Sequence, residues 1–527
     1  MCYPFASAAT IARAKISPTD WREPILCWMD GVEAGWAIPI FLVGFVAAWQ
    51  AFLAIAYFGG DLHPDVLETW TFGRSLEWGY PKHPPLMGWV ARAWTSVFPL
   101  SNWSFQLLAL TNAAVAMWFV DLIARRFVRG DKRLIVLFLL MLQPTYQFHA
   151  QRFNANAVLL AVWPLATLCF LRSFETRRLG WAVAAGVTAA LAVLGKYYSL
   201  FLIASFAVAA MLHPQRRAYF GSFAPWVSVM TGLGLLAPHL HWLATTGAKP
   251  CVYALSMHAG KPFDVALTQA LLFLPGVALA LALPAAAWVL IAGEKLKRFR
   301  ADFRALNPQL WLLFLITAGT MVLPPITALA MRTDMQPVWA LQGVFMIAIL
   351  AVCSASYSVT RVQSVNLTAV TAGIVAFAVF VAAPAHMLYR NGHPLHEGRN
   401  FYRPAAEELT QRWHTQFEVP LPAVGGDDDL ALALAFYSPD HPVYENRLVN
   451  PRMKRLPDNA DLARGWAALC FSEDAACIGA VEETAARGQR FVSFAFTVRS
   501  ELLGQPGASQ RFAAVMVPPA VRLTLGD

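Results

Sequence analysis

The sequence predicts a polytopic α-helical membrane protein with about eleven transmembrane helices and a small C-terminal α/β domain. Of its 527 residues, 57% are hydrophobic and 14% are charged, whereas a soluble globular protein carries about 25% charged residues. The mean hydropathy is +0.47. One soluble core stops growing at about 250–300 residues, so this much apolar sequence needs lipid to cover it.

The apolar residues are gathered in segments long enough to cross a bilayer, which takes about 20 residues. These segments predict a cytoplasmic N-terminal segment at 1–35, a transmembrane domain at 36–388 and a soluble domain at 389–527. Residues 1–35 do not have the pattern of a signal peptide. The predicted spans are 36–58, 104–124, 134–150, 157–171, 179–195, 198–212, 220–243, 265–292, 309–331, 336–353 and 365–388.

The net charge of +9 comes largely from short clusters between the spans, which argues against a nucleic-acid partner. The clusters occupy alternate connections, and the positive-inside rule makes those connections cytoplasmic. The other connections, and the tail from Tyr389 onward, then face the extracytoplasmic side. The basic clusters are Arg125, Arg126, Arg129, Lys132 and Arg133; Arg172, Arg177 and Arg178; Arg216 and Arg217; Lys295, Lys297, Arg298, Arg300 and Arg304; and Arg361.

The C-terminal domain is predicted to be a small α/β or α+β domain. Its periodicities indicate strands at 430–437 and 489–496 and helices at 403–416 and 479–487. Cys470 and Cys477 could pair there if the compartment is oxidising. Cys169 and Cys353 fall in predicted spans and are expected to be packing residues.

The first predicted outward loop, residues 59–103, interleaves ionisable and aromatic side chains. From about Asp65 to Trp78 the spacing predicts an amphipathic helix at the membrane interface, which Pro84-Pro85 would end. The ionisable residues of the loop's first half are Asp61, His63, Asp65, Glu68, Arg74, Glu77, Lys82 and His83.

A motif in this loop carries a family resemblance. Asp65 stands eighteen residues before His83, and Trp78-Gly79-Tyr80 and His83-Pro84-Pro85-Leu86 are present. With this motif the chain resembles the GT-C glycosyltransferases of the protein-mannosyltransferase-like group (glycosyltransferase family 39). That group includes aminoarabinose and galacturonic acid transferases acting on lipid A and core oligosaccharide. Lys196-Tyr197 and Phe436-Tyr437-Ser438 extend the resemblance.

The resemblance implies a GT-C architecture in a bacterial inner membrane. It also implies transfer of a sugar from a polyprenyl-phosphate donor to lipid A, lipopolysaccharide or another cell-envelope glycan. Two positions depart from the family pattern: Val66 replaces a Glu, so that Glu68 is the nearest acid, and Asn156 replaces an Asp of the second outward loop. These departures leave open whether Asp65 and Glu68 hold a divalent metal, Mg²⁺ or Mn²⁺.

The residue types fit this chemistry. A phosphate leaves without a general acid, unlike the leaving group of a glycosidase, so one base and several cations suffice. Asp65 is the candidate base, with Glu68 as a second acid, and one displacement would invert the anomeric carbon. The candidate phosphate-binding residues, all at predicted outward span ends, are Lys82, His83, Arg152, Lys196, His258 and Arg332.

Structural roles compete with each of these assignments. Asp65 could cap the loop helix, Glu68 could lie on a solvated face, and Lys196 could be an interface anchor. His239 and His241 are expected to be packing residues. A secondary transporter and a non-catalytic scaffold remain alternative functions, although a transporter is expected to carry ionisable groups near the bilayer midplane. The sequence has no Walker A motif, which argues against an ATP-driven pump.

Overall fold

The computed structural model describes residues 21–147, 149–395, 399–445, 448, 462–486 and 490–520. The chain divides into two compact units. Unit 1 is formed by the described residues of Met1–Gln50, Glu77–Met87 and Gln106–Phe377. Unit 2 is formed by those of Ala51–Leu76, Gly88–Phe105 and Ala378–Asp527. The predicted domain start at residue 389 falls inside a helix, Ala383–Gly392.

The protein is a multi-pass membrane protein. Among the described residues, seven helices are long and apolar enough to cross a bilayer. They are α2 (Ala37–Ala56), α5 (Asn102–Ala124), α8 (Val158–Thr176), α12 (Ala224–Thr245), α14 (Phe263–Ala280), α17 (Pro308–Met331) and the continuous helix Arg361–Gly392. That last helix contains α19 (Arg361–Phe377), a π-helical segment (Ala378–Ala382) and α20 (Ala383–Gly392).

The other helices are shorter. They are α1 (Arg22–Ala34), α3 (Pro64–Gly73), α4 (Leu86–Thr95), α6 (Asp131–Met141), α7 (Pro144–Gln147), α9 (Leu179–Gly195), α10 (Leu200–Leu212), α11 (Arg216–Phe220), α13 (Lys249–His258), α15 (Ala282–Ala292), α16 (Phe299–Arg304), α18 (Phe345–Cys353), α21 (Tyr402–Gln416), α22 (Asp428–Tyr437) and α23 (Ala475–Ala486). Short 3₁₀ segments are His149–Gln151, Tyr197–Ser199, Gly293–Arg298, Pro337–Gly343 and Leu462–Arg464.

Each of the eleven predicted spans coincides with helical structure, but several of them are interrupted. The span predicted at 134–150 ends as a helix at Met141, and a new short helix starts at Pro144, because proline lacks the N–H that would continue the first. The span at 336–353 begins as the 3₁₀ segment Pro337–Gly343. The span at 265–292 is split at Leu281. The predicted helical segments are confirmed, and the number that cross the bilayer stays a prediction.

Small residues let the helices of unit 1 approach closely. Gly186 of α9 faces Ser228 and Gly232 of α12, where an added Cβ would collide with the Ser228 carbonyl. Close backbone approach through small residues is a usual way for membrane helices to associate. Beside this pair, Trp163 of α8 is fully buried and donates through Nε1 to Ser199 Oγ at 2.9 Å. The result fixes α9 between α8 and α12, just before the turn at Lys196.

Unit 2 contains a five-stranded mixed sheet in the order β2-β1-β3-β5-β4. Strands β1 and β2, and β1 and β3, are parallel, and the remaining pairs are antiparallel. A β-branched and aromatic core, including Trp466, Val481, Val515 and Val517, lies against β3 and β5. The strands are β1 (Ala423–Gly426), β2 (Val443–Tyr444), β3 (Trp466–Phe471), β4 (Val492–Leu502) and β5 (Gln505–Val517).

Three of the four elements predicted for the tail are confirmed within the described residues, and the strand at 430–437 is wrong. That segment is helix α22, whose N-cap Asp427 accepts hydrogen bonds from the N–H groups of Asp429 and Leu430, both at 3.1 Å. The alternation of Ala and Leu resembled a strand, but both residues are strong helix formers. The helix is buried nearly all round, so it shows no amphipathic helical period.

Cys470 and Cys477 form a disulfide, with their Cα atoms 5.9 Å apart. It joins β3 to the first turn of α23. Cys169 is buried as expected of a packing residue, whereas Cys353 is only partly buried.

Candidate functional site

Asp65, the predicted base, lies in the first turn of α3 in unit 2. Its side chain is 52% exposed, and its Oδ2 is 3.7 Å from His63 Nδ1. The N-cap of α3 is His63, whose Nδ1 accepts the Asp65 N–H at 3.2 Å. The capping role considered for Asp65 is therefore wrong, and its carboxylate stays accessible at a helix N-terminus, where negative charge is favoured.

Helix α3 is not the amphipathic interfacial helix that the sequence predicted. It ends at Gly73, well before Pro84-Pro85, and eight of its ten residues are buried. A Cβ at Gly73 would collide with the Gly88 carbonyl, so this position needs glycine. Within unit 2 the helix packs on α22 through Trp70, whose ring lies 5.2 Å from that of Phe436. Trp70 and Phe72 of α3 are thus packing residues.

Arg74 fixes the C-terminal end of α3. Its two terminal nitrogens donate to the carbonyls of Pro442 and His441, each at 2.7 Å, and its guanidinium lies 5.1 Å from the Trp70 ring centre. These contacts span more than 360 positions in sequence. Sequence reasoning gave Arg74 no role, because nothing local indicates its partners.

Glu68 lies on the buried side of α3 and is 8% exposed, which rules out the solvated face considered for it. Burial raises the pKa of the Tyr444 phenol well above its usual value, and the charges of Asp428 and Glu68 raise it further. Glu68 thus lies near acidic side chains of the tail. In the described part of the chain, no group of three or more His, Cys, Asp or Glu side chains is arranged so that it could hold a metal ion. A Mg²⁺ or Mn²⁺ ion on Asp65 and Glu68 would therefore need water or substrate phosphate as further ligands.

Asp61 is a further acid of the first loop, to which the sequence assigned no role. It is 4% exposed, and its Oδ2 accepts the Tyr402 N–H at 2.9 Å and the Arg403 N–H at 3.4 Å. Burial raises the pKa of Asp61 to about 7, against the opposing charges of Arg403 and Arg390. The sequence shows an acid directly after a predicted span, which could have indicated Asp61. Its partners, Tyr402 and Arg403, lie about 340 positions away in the sequence.

Lys196, in unit 1, terminates α9 and turns the chain into α10. Its Nζ donates to Asn156 Oδ1 at 2.6 Å and lies 5.3 Å from the ring centre of Trp339. Asn156, the residue that departs from the family pattern, is thus a partner of Lys196.

Trp339 joins Lys196 to His258, another of the predicted phosphate-binding residues of unit 1. His258 packs edge-on against its ring with centroids 5.1 Å apart, and His258 Nδ1 lies 2.6 Å from Asp334 Oδ1. Lys261 Nζ lies 3.9 Å from Asp334 Oδ2, and the Lys261 N–H donates to the Arg332 carbonyl at 3.0 Å. We call this group the Lys196 cluster: Lys196, His258, Lys261, Arg332, Asp334 and Trp339.

The Lys196 cluster combines three predicted residues with three that sequence reasoning missed. In the sequence, Lys261 stands three positions after His258 and Asp334 two positions after Arg332, and this proximity to predicted site residues could have indicated them. Arg332 is exposed and has a left-handed backbone at φ 49° as the C-cap of α17. With its Nδ1 on Asp334, His258 has Nε2 left to face a ligand.

His239 ties the first-loop motif to the Lys196 turn, and both lie in unit 1. Its Nδ1 contacts the Trp78 carbonyl and its Nε2 lies 3.0 Å from the Tyr197 hydroxyl. A carbonyl only accepts, so Nδ1–H donates to Trp78, and Nε2 of the neutral ring accepts from Tyr197. The expected packing role of His239 is therefore incomplete, because the side chain also positions two motif segments. His241 is exposed, two residues further along the same helix.

The remaining motif residues follow in the same segment. Gly79 packs on the Trp242 ring, where an added Cβ would collide. The Tyr80 N–H donates to the His83 carbonyl at 2.9 Å, which forms a turn around Lys82. Lys82 and His83 are half-buried, as is Arg152, which precedes the N-terminal turn of α8. His239 thus contacts Trp78, shortly before the Lys82–His83 turn, and Tyr197, directly after Lys196.

Residues 82–242 match the sequence model of the family described as dolichyl-phosphate-mannose-protein mannosyltransferase. That stretch contains Lys82, His83, Arg152, Lys196 and His239. The lipid A galacturonosyltransferase RgtD of Rhizobium johnstonii is 27% identical over 184 residues, which cover 34% of this chain and 38% of that relative's length.

Two solved structures share the fold. The crystal structure of ArnT from Cupriavidus metallidurans bound to undecaprenyl phosphate aligns with a TM-score of 0.56 at 15% identity, over 90% of this chain and 98% of that one. The apo structure of the same enzyme aligns with a TM-score of 0.58 at 14% identity, over 92% and 98%. At such identities the likeness concerns the fold. This chain therefore has the GT-C fold of ArnT, as the resemblance of its first-loop motif implied.

Proposed function

We propose that this protein is an inverting glycosyltransferase that moves a sugar from a polyprenyl-phosphate donor to lipid A, lipopolysaccharide or another cell-envelope glycan. The fold, the family match over 82–242 and the similarity to RgtD support this proposal. The ArnT structure bound to undecaprenyl phosphate supports the choice of donor lipid. The predicted orientation, with the Lys196 cluster and the tail on the extracytoplasmic side of a bacterial inner membrane, belongs to the same proposal.

The Lys196 cluster is the observation on which the proposal chiefly depends. Lysine, arginine and protonated histidine are the usual binders of phosphate. Here Lys196 and His258 contact the Trp339 ring, and Asp334 contacts His258 and Lys261. Arg332 adjoins this group through its backbone carbonyl, which accepts the Lys261 N–H. All of these cations lie at helix ends rather than at mid-span, whereas transporters place ionisable groups near the bilayer midplane.

The reaction would run as one displacement. The oxygen of an acceptor hydroxyl attacks the anomeric carbon, and the bond from that carbon to the phosphate oxygen breaks. Asp65 takes the hydroxyl proton as general base. The phosphate leaves with the bonding electron pair, and the cations of the Lys196 cluster, together with Lys82, His83 and Arg152, stabilise its growing charge. A divalent metal on Asp65 and Glu68 is not required by this sequence of events.

Transfer can be measured with the purified full chain in proteoliposomes. One arm supplies a radiolabelled sugar on polyprenyl phosphate and the other supplies the same sugar on a nucleotide, each with lipopolysaccharide as acceptor. The proposal predicts label in lipopolysaccharide with the lipid donor alone, and inverted anomeric configuration in the product. Label from the nucleotide donor would contradict the donor class.

The two rival functions give different results in the same system. A transporter would move labelled solute across the membrane without attaching it to lipopolysaccharide. A scaffold would transfer no label from either donor, whichever lipopolysaccharide is supplied as the acceptor.

A further inference from the structure

A cavity of about 350 Å³ lies between α10 and α12 in unit 1. Helix α10 packs mainly on α17, whereas α12 packs on α9, and a gap remains between α10 and α12. Helix α9 lines this gap with small residues, Ala185, Gly186 and Ala189. The volume lies in the range of about 300–1,000 Å³ that is usual for small-molecule sites. We call this cavity the α10–α12 groove.

The wall of the α10–α12 groove is apolar. Among the described residues that line it, Tyr219 and Ser228 are the polar ones, and no charged side chain is present. The Ser228 hydroxyl donates to the Ala182 carbonyl at 2.9 Å or to the Ala224 carbonyl at 3.0 Å, so its hydrogen is satisfied within the protein. An occupant of the groove must therefore be apolar, because burying a polar group without a partner is costly.

The groove opens toward the lipid. Met211 of α10, and Val229 and Leu233 of α12, line it and are each about half exposed. Along α12 the wall runs from Pro225 to Leu236, a distance of about 16 Å at 1.5 Å per residue. The hydrocarbon core of a bilayer is about 30 Å thick, so one leaflet takes up about 15 Å. The groove thus has the depth of one leaflet.

Arginines lie at one end of the groove. Helix α11 connects the end of α10 to the start of α12 there, and its residues Tyr219 and Phe220 line the groove. Arg216 and Arg217 form the first turn of α11 and are exposed. Along the helix axis Arg216 is about 6 Å from Phe220. The sequence has no Asp or Glu at 176–263, so the segments around the groove supply no counter-ion to these arginines.

The start of α9 adds two further arginines to the same end. Arg177 and Arg178 are exposed and directly precede α9. The hydrogen bond from Ser228 to Ala182 joins the beginnings of α12 and α9, so the two helices start side by side. Lys196 terminates α9 at its opposite end, about 25 Å away along the helix. The basic end of the groove is thus separate from the Lys196 cluster.

We propose that the α10–α12 groove binds an anionic phospholipid of the bilayer, with one acyl chain in the groove and the phosphate group at Arg216 and Arg217. Basic residues beside clefts between membrane helices are a recurrent site for anionic headgroups, and guanidinium groups are good phosphate donors. The charge pattern predicts that this end is cytoplasmic, so the lipid belongs to that leaflet. The proposal does not rest on the proposed transferase activity, since binding is measured without turnover.

Native mass spectrometry of the purified full chain in a mild detergent measures the affinity for the first bound lipid. The probes are dioleoyl phosphatidylglycerol, which is anionic, dioleoyl phosphatidylcholine, which has the same chains and no net charge, and undecaprenyl phosphate.

Two substitutions fill the groove from opposite walls, so that misfolding of one variant does not decide the result. They are Ala207→Phe on α10 and Val229→Phe on α12, both at exposed positions that tolerate a larger side chain. Ala204→Phe is the matched control, because Ala204 is an exposed alanine of α10 that does not line the groove.

A second pair of variants tests the headgroup contact. Arg216→Gln with Arg217→Gln removes two charges at the groove. Arg298→Gln with Arg300→Gln removes two charges from exposed arginines of another basic cluster and is the matched control.

The wild type is expected to bind phosphatidylglycerol at least tenfold more tightly than phosphatidylcholine. Both filling variants should weaken phosphatidylglycerol binding at least tenfold, and Ala204→Phe should leave it unchanged. The Arg216 and Arg217 double variant should lose the preference for phosphatidylglycerol, and the Arg298 and Arg300 double variant should keep it.

Three results would overturn the proposal. They are equal affinity of the wild type for the two phospholipids, unchanged phosphatidylglycerol binding in both filling variants, and competitive displacement of phosphatidylglycerol by undecaprenyl phosphate. The last result would assign the groove to the polyprenyl chain of the donor instead.

Discussion

Lys196 of unit 1 and Asp61 of unit 2 both lie in charged surroundings, but their exposure differs. Lys196 is half-buried and holds a neutral partner, Asn156, at 2.6 Å. Asp61 is 4% exposed and is held by two backbone N–H groups at the start of α21. A half-exposed charge with a neutral partner can still bind a ligand. A buried carboxylate on backbone donors mainly fixes the chain around it.

The difference separates residues that should control turnover from residues that should control stability. Substitutions in the Lys196 cluster are expected to reduce transfer with little loss of folding. Substitutions of Asp61 are expected to act on stability and its dependence on pH.

Replacing Lys196 by Ala should lower kcat/KM for the lipid donor by about 10²–10³-fold, the usual loss for one donor to a developing anion. Steady-state transfer in proteoliposomes measures it. Lys132 is a matched control, because its Nζ also donates to an oxygen (the Ala355 carbonyl, 2.7 Å) and lies 5.9 Å from the ring centre of Tyr357. Equal losses in Lys196→Ala and Lys132→Ala would show that the effect is structural.

Replacing His239 by Ala should lower kcat by about 10–100-fold, since small displacements of positioned groups are costly. The change releases Trp78 and Tyr197, which His239 joins. His239→Asn should recover part of the rate, because its amide can still donate to the Trp78 carbonyl. His241→Ala, on the same helix but exposed, should transfer like the wild type. A rate of His239→Ala equal to that of His241→Ala would contradict this role.

Replacing Asn156 by Asp should raise KM for the donor about tenfold, or about 1.4 kcal/mol. The new carboxylate would pair with Lys196 and compete with the donor phosphate. Asn307→Asp introduces the same charge at the N-cap of α17, where Asp is an equally good cap, and should leave KM unchanged. An unchanged KM in Asn156→Asp would mean that Lys196 does not bind the donor.

Replacing Asp61 by Asn should flatten the pH dependence of stability. The pKa of Asp61 rises from 3.8 to about 7 on folding, so the neutral form is favoured in the native protein. The contribution of Asp61 to the free energy of unfolding is complete below pH 3.8. This contribution, roughly 4 kcal/mol at most, is lost as the pH rises through 7. As the pH is raised from 5 to 8, the thermal midpoint of the wild type should therefore decrease by more than that of Asp61→Asn. Parallel pH profiles of the two proteins would contradict the assignment.

Much of unit 1 follows from sequence, because apolar runs and basic clusters report directly on membrane helices. The break at Leu281 was missed because it interrupts an apolar segment, whereas Pro144 was the signal for the break at Leu142 that the predicted span overlooked. In unit 2, α22 was read as a strand since a helix buried on every side carries no helical period. The predicted helix continues past Gly73, where α3 ends. The local sequence also does not show which neighbours bury α3.

The candidate site was predictable where residues lie in one motif or at helix ends. Lys196 and His258 both contact the Trp339 ring, and Arg332 is linked to Lys261 through its backbone carbonyl. Asp61 and Arg74 were not assigned, because their contacts join positions more than 330 residues apart. Such contacts depend on tertiary folding, which no local pattern of charges encodes.

The central assignment is Asp65 as the base, and one comparison tests it most directly. Transfer from the labelled lipid donor to lipopolysaccharide is measured for the wild type and Asp65→Asn at matched expression, with donor binding measured in parallel. The account predicts that Asp65→Asn binds the donor normally and loses transfer by about 10²–10⁴-fold, the contribution of a general base. Equal transfer by both proteins would contradict it.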